Sequence, residues 1–215
     1  MSPPTLCQTP SAVRIGTDRG IFQAIAQPDT ELVVWQRQSA PPWANWIEQL
    51  SVHDLPTCHL DMAPHEMTSA LQASCDASGT PCGPPREAFV ADIAHLSAAF
   101  AAILRAPTVR LRLAVVTNNA CRRWHLDCVP LRLICTYRGP GTQWIPPAFG
   151  AAVLACADDE TSHALPLRTG DVALFKGCGW PGQSHDGGIV HRSPRIAGTG
   201  LTRLVLVLDP PRVSS

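Results

Sequence analysis

The sequence predicts a mainly β protein with α: a double-stranded β-helix (jelly-roll) core over residues 108 to 209, with N-terminal helices packed outside it. Three observations carry this. The hydrophobic pattern changes near residue 108 from a helical repeat to short apolar runs. Eight such runs follow, the strand number of a jelly-roll. Several of their connections carry turn chemistry, as in Gly139-Pro-Gly141, Thr169-Gly-Asp171 and Gly177-Cys-Gly-Trp-Pro-Gly182.

A chain of 215 residues suits one domain, and 45% hydrophobic residues allow a real core. The expected layout is a loose N-terminal segment at 1 to 30, a mixed, mainly helical part at 31 to 107, and the core at 108 to 209 forming one domain with that part. Seventeen basic and seventeen acidic residues balance, so the field that would draw nucleic acid or anionic membrane is missing, and neither is expected as a partner. The start, Met1-Ser-Pro-Pro-Thr-Leu-Cys-Gln-Thr-Pro10, lacks the pattern of a signal peptide, and no stretch reads as long enough for a membrane span. A cytoplasmic location is expected. The nine cysteines are odd in number and a cytoplasmic chain keeps thiols reduced, so most read as small core residues rather than a disulfide framework. Cys75 and Cys82 match no common zinc spacing. A homodimer is compatible with the sequence.

Taken in order, a short helix is expected near Asp18 to Ala26, then a strand at Glu31 to Arg37 ended by Pro41-Pro42. Trp43, Trp46, Ile47 and Leu50 are spaced as one face of a helix, with Pro42 at its start. Residues 53 to 76 carry His53, His59 and His65 among Asp54, Asp61 and Glu66, at spacings with no fixed geometry, and read as solvated surface. Arg86 to Leu104 holds Phe89, Ile93, Leu96, Phe100 and Ile103 on a 3.6-residue period and is the clearest helix. The core strands are Val109 to Thr117, Arg122 to Cys128, Leu131 to Tyr137, Thr142 to Ile145, Leu165 to Arg168, Val172 to Phe175, Gly188 to His191 and Thr202 to Leu208.

Within that core, His125 and Asp127 lie two apart, so a strand would present both on one face. His191, on a neighbouring strand, supplies a third ligand. Two histidines and one carboxylate with open positions form the facial triad of non-haem Fe(II) oxygenases. The plain alternative is a hydrogen-bonded polar pair at the surface. Cys121 shares the parity of the pair but lies about 13 Å from His125 in an extended strand, too far for direct ligation unless the chain bends.

The strings Cys121 to Trp144, Gly170-Asp-Val-Ala-Leu-Phe-Lys-Gly177 and Ile189-Val-His-Arg-Ser-Pro194 resemble a bacterial family described as domain of unknown function 1826, from about Leu32 to Asp209. That family name implies no activity; a link to zinc-homeostasis gene neighbourhoods bears on physiology alone. His125-x-Asp127, His191, Arg203 and the Gly-Asp-x-x-x-Phe strand are similar, more distantly, to the 2-oxoglutarate/Fe(II) oxygenase superfamily. That resemblance implies Fe(II) on His125, Asp127 and His191, with 2-oxoglutarate as co-substrate. A basic residue of the last strand would hold the co-substrate's far carboxylate, since a guanidinium binds carboxylate bidentately. Arg203 is the first choice and Arg132 and Lys176 are rivals, each with an ordinary salt bridge as the competing role. Tyr137 would position substrate or co-substrate, or else serve the turn at Gly139. The substrate, a small molecule or a protein, is unspecified. The alternative function is a non-catalytic zinc-binding or metal-homeostasis jelly-roll in which Zn(II) takes the same ligands and Cys121 or Cys128 assists; an interaction scaffold with a vestigial triad is a third.

Overall fold

The computed structural model describes residues 12–156, 161–184 and 187–212; the expected loose start lies, for residues 1–11, outside them. The described chain begins with β1 (Val13–Gly16), a 3-10 helix at Arg19–Ala26, and β2 (Leu32–Trp35). Asp18 accepts a 2.7 Å hydrogen bond from the Gly20 N–H, one of the donors that every helix start leaves unpaired. Then come α1 (Ala44–Gln49), β3 (Cys58–Met62), α2 (Met67–Ala77) and α3 (Pro84–Leu104). Pro84 and Pro85 fit the first turn of α3, where no N–H is needed, and Arg105 closes it in the left-handed region at φ 51. The rest is β4 (Val109–Val116), β5 (Leu131–Arg138), β6 (Gln143–Trp144), α4 (Pro147–Ala155), β7 (Leu165–Pro166), β8 (Val172–Lys176), β9 (His191–Arg192) and β10 (Arg203–Asp209).

The protein is thus a mixture of α and β built on a seven-stranded sheet in the order β1-β2-β8-β5-β10-β4-β3, beside a three-stranded sheet β7-β6-β9. All pairings are antiparallel except β1 with β2. The central strands are apolar on both faces, and alternation sorts them into two cores. Leu133, Cys135, Tyr137, Leu204, Leu206, Leu208 and Leu174 face the helices and pack with Phe89, Ile93, Leu96 and Phe100 of α3. Ile134, Val205, Val207, Ala173 and Phe175 face the other way, against Trp144 and Ile189 around the small sheet.

Three local expectations are corrected. Arg122 to Cys128 is not a strand: its only ladder contact is a single bridge between His125 and His191. The backbone partners of this stretch lie on separate segments, with Cys121 O accepting from Ser193, Asp127 O from Cys178, and His125 exchanging bonds with His191, so no run of consecutive pairs can form. The strand expected at Glu31 to Arg37 is present as β2, but the part before 108 is not merely packed outside the core, because β1, β2 and β3 all join the large sheet. The stretch from 53 to 76, expected as polar surface, contains β3 and α2; β3 alternates exposed His59 and Asp61 with half-buried Cys58, Leu60 and Met62, as an edge strand does. Finally, α3 is long and apolar enough to cross a membrane, with a mean hydropathy of 1.6 over its best window, yet nine of its residues are buried in this fold.

Candidate metal centre

His125, Asp127 and His191 offer one ligand atom each, and these atoms lie within 4.8 Å of one another. His191 Nε2 stands 3.4 Å from Asp127 Oδ2, and His125 Nε2 stands 4.0 Å from Asp127 Oδ1. The two backbones are clamped by reciprocal hydrogen bonds, His125 N–H to His191 O at 3.1 Å and His191 N–H to His125 O at 3.0 Å. A bridge of this kind places residues directly opposite, which sets the imidazole centroids 4.5 Å apart. One bridge therefore does the work expected of a whole strand.

The protonation of the cluster follows from its neighbours. His125 Nδ1 lies 2.9 Å from Arg123 O, and His191 Nδ1 lies 2.9 Å from Ile189 O. A carbonyl only accepts, so each Nδ1 carries a proton, and a ring that is neutral turns its lone pair outward at Nε2. Burial pushes the His191 imidazole down to about 4, with Asp127 opposing and His125 adding to the effect. At neutral pH the 3.4 Å contact is therefore not an ion pair. A lone pair faces a carboxylate oxygen, and Asp127 Oδ2 is a buried atom with no hydrogen-bond partner. An orphaned acceptor facing other lone pairs is the arrangement a cation completes. The residues fit a divalent metal.

Surrounding side chains hold the carboxylate in place. Arg132 Nη1 donates to Asp127 Oδ1, while its Nε and Nη2 donate to Asp209 at 2.7 and 3.2 Å. Burial works against the Arg132 charge, but Asp209 and Asp127 outweigh it and raise its pKa. Phe175 packs on His191 with ring centroids 4.5 Å apart.

The other expected site residues divide sharply. Arg203 is 1% exposed and lines the same cleft as His125 and His191. It donates to Pro140 O at 2.7 Å, Thr136 Oγ1 at 3.3 Å and Thr142 Oγ1 at 3.5 Å. None of these is charged, and among the described residues Arg203 has no acidic partner; burial lowers its pKa to about 10. Lys176 is not in this cleft. It lies on β8 next to Phe175 and points to the opposite face, donating to Gln27 O at 2.7 Å. Tyr137 is likewise away from the cluster, buried among Trp43 and Phe89, with its hydroxyl donating to Asp92 Oδ2 at 2.7 Å. Cys121 lines the cleft rim, whereas the metal-ligand group contains no sulfur.

Sequence reasoning missed Asp209, Thr136 and Thr142, and also Arg112, which lines the same cleft as Arg203. Asp209 could have been found, since it ends the same apolar run that Arg203 begins. Thr136 shares the parity of Arg132 on β5, which also marks Tyr137 as facing the other side.

A family model described as Protein of unknown function (DUF1826) matches residues 16–209. No curated protein matches the chain. Among solved structures, the chain is similar to a dioxygenase for auxin oxidation from rice, at 14% identity over 93% of this chain and 83% of that one, with a TM-score of 0.49. It is also similar to dioxygenase for auxin oxidation 1 from Arabidopsis thaliana in a 2-oxoglutarate complex, at 11% identity over 82% and 67%, TM-score 0.40. A Pseudomonas putida prolyl-4-hydroxylase gives 16% identity over 82% and 99%, TM-score 0.35.

Proposed function

Because this chain belongs to the DUF1826 family, whose description assigns no activity, we propose its function from the site: a non-haem Fe(II) oxygenase with 2-oxoglutarate as co-substrate, built on a jelly-roll core. The observation that carries the reading is Arg203. A guanidinium buried without a counter-ion is costly, and here it opens on the cleft that also holds three metal-ligand atoms. A dianion reaching from metal to Arg203 resolves both the buried positive charge and the open coordination positions. Structural zinc asks for four protein ligands and explains nothing about Arg203. The two facing sheets, with the small one extended by the His125 bridge to the order β7-β6-β9-His125, support the jelly-roll description.

In this reading His125, Asp127 and His191 would hold Fe(II), which when bound would supply the redox chemistry by which dioxygen, the four-electron oxidant, oxidatively decarboxylates 2-oxoglutarate and oxidises a substrate. The chain's own residues do the rest. Arg203 binds the far carboxylate, and its contacts with Pro140 O, Thr136 and Thr142 fix the guanidinium plane beforehand, so little side-chain entropy remains to be lost on binding. Arg132 orients Asp127 through one oxygen and leaves the other for the metal. Ile189 O and Arg123 O keep both imidazoles in the ligating tautomer. Phe175 and Val205 keep water from the inner wall of the site.

Calorimetric titration of 2-oxoglutarate into the anaerobically prepared Mn(II) protein tests the proposal. Saturable binding at one site is expected. Its absence from a protein with stoichiometric metal would end the oxygenase reading.

A further inference from the structure

The cleft wall carries more positive charge than one co-substrate uses. Arg112, Arg132, Arg192 and Arg203 all line it, together with His125 and His191, while the acids beside it, Asp127 and Asp209, are both bonded by Arg132 and Asp127 belongs to the metal-ligand group. This occurs in a chain whose basic and acidic residues balance at seventeen each, so the charge is concentrated here and not general. In the proposed function Arg203 takes the co-substrate. Arg132 is committed to Asp127 and Asp209, and Arg192 is held by Gln143 at 2.8 Å and lies 4.2 Å over the Trp124 ring. Arg112 is left.

Arg112 belongs to β4, where Arg110, Arg112, Ala114 and Val116 share one face. Its two neighbours across the ladders are Val207 of β10 and His59 of β3. The acids nearby are otherwise placed: Asp209 is bonded by Arg132 and lies 3.9 Å from Arg110, and Asp61 sits across from Arg110 in register. Among the described residues Arg112 makes no hydrogen bond or ion pair, and it is exposed. A lone exposed arginine is ordinarily just hydrated. This one stands over a floor of Ala114, Val116, Val205 and Val207 in the cleft that also holds the metal-ligand cluster. Low-dielectric walls of this kind focus the field and strengthen an ionic contact made inside them.

We propose that the oxidised substrate is an anion, a small molecule whose carboxylate or phosphate group is received by Arg112 while its apolar portion lies on the alanine and valine floor toward His125. This rests on the oxygenase reading for the word substrate; the anion subsite stands or falls separately. Arg112 would be a specificity residue, since it recognises charge at the mouth and touches no metal ligand.

The test follows the arginine side-chain Nε–H resonances of the full-length, 15N-arginine-labelled protein during titration with inorganic phosphate and, separately, acetate. It is run on the Zn(II)-loaded protein saturated with 2-oxoglutarate and again on the protein with neither. Arg112→Gln (R112Q) assigns the resonance. Arg105, exposed at the end of α3, serves as the internal reference for ordinary surface binding. The Arg112 signal is expected to saturate at an anion concentration at least about ten-fold below that for Arg105, a difference of about 1.4 kcal/mol. The tighter of the two anions names the substrate's group. Equal titration of Arg112 and Arg105 overturns the proposal. If metal and 2-oxoglutarate bind while the two arginines titrate alike, the subsite is wrong and the oxygenase reading survives. Preferential saturation of Arg112 in a protein that binds no 2-oxoglutarate leaves the anion subsite and removes the oxygenase.

Discussion

The two faces of the large sheet both bury charge, and they treat it differently. On the helix side Arg37 donates to both oxygens of Asp92 at 2.9 and 2.8 Å and to Gly170 O at 2.7 Å, and Tyr137 donates to the same carboxylate at 2.7 Å. On the cleft side Arg203 meets only neutral oxygens and Asp127 Oδ2 meets no donor. A buried polar group costs free energy unless partnered, so a closed network reads as architecture and an open one as a place for something absent from the chain. The comparison teaches where to look for function: at the polar groups whose partners the fold omits.

The largest contrast comes from removing one carboxylate on each face. Asp92→Ala strands a buried Arg37 and leaves Tyr137 without its acceptor, and should cost about 3 to 5 kcal/mol of stability. Asp127→Ala should cost the metal-free protein much less, because Arg132 keeps Asp209, while metal affinity falls by more than the roughly 10- to 100-fold expected for an outer-shell partner. Urea unfolding of the two metal-free variants, with elemental analysis of the loaded ones, checks both halves. Equal destabilisation by the two substitutions would erase the distinction between the faces.

Next in size is Arg203→Ala. A charge-assisted hydrogen bond to a carboxylate contributes about 1.5 to 3 kcal/mol, so 2-oxoglutarate affinity should fall roughly ten- to a hundred-fold with metal content unchanged. Calorimetry on the Mn(II) protein measures it. Loss of metal in this variant would show that Arg203 supports the fold of the site instead of the ligand.

Smaller still is Tyr137→Phe, which deletes one hydrogen bond to Asp92 and keeps the ring between Trp43 and Phe89. Stability should drop by about 1 kcal/mol, with metal and 2-oxoglutarate binding the same as wild type. A specific loss of 2-oxoglutarate binding would put Tyr137 back among the site residues.

How far the sequence revealed this arrangement differed by region for physical reasons. β5, β8 and β10 were legible because strands covered on both faces are continuous apolar runs, which few other structures produce. β3 was not, since an edge strand exposing His59 and Asp61 looks like polar surface, and α4 was not, since Pro-Ala-Phe-Gly-Ala-Ala-Val-Leu-Ala is apolar all round and carries no face to read. The triad was legible by residue type, while its mechanism was misread: spacing suggested one strand face, and the structure brings the three together through an irregular stretch and one bridge. Choosing between Arg203, Arg132 and Lys176 required partners, which are long-range and leave no local trace. The side of the sheet that Tyr137 takes was legible, because its parity on β5 opposes that of Arg132.

Lys176 supplies the sharpest remaining test, because it is a buried cation on the helix-facing side that makes no ion pair among the described residues: its ammonium donates to Gln27 O at 2.7 Å and sits 5.0 Å from the Trp180 ring. Burial lowers its pKa below the usual lysine value, with Glu31 and Asp29 opposing. Those two carboxylates balance the charge from a distance, and lysine, unlike arginine, can also release its proton, so no ligand is required. Between the depressed folded pKa and the unfolded value near 10.4, the unfolded chain holds a proton that the folded chain has given up. Wild type should therefore gain stability relative to Lys176→Met as pH rises through that window, and should lose that gain as pH falls back through the folded pKa. Urea unfolding of both proteins at a series of pH values up to the unfolded lysine pKa reads the sign. Over the same substitution 2-oxoglutarate affinity should hold within about two-fold, less than 0.5 kcal/mol. A loss approaching that of Arg203→Ala would mean that an unpaired buried cation on either face can mark the ligand, and the contrast between the faces would no longer locate the site.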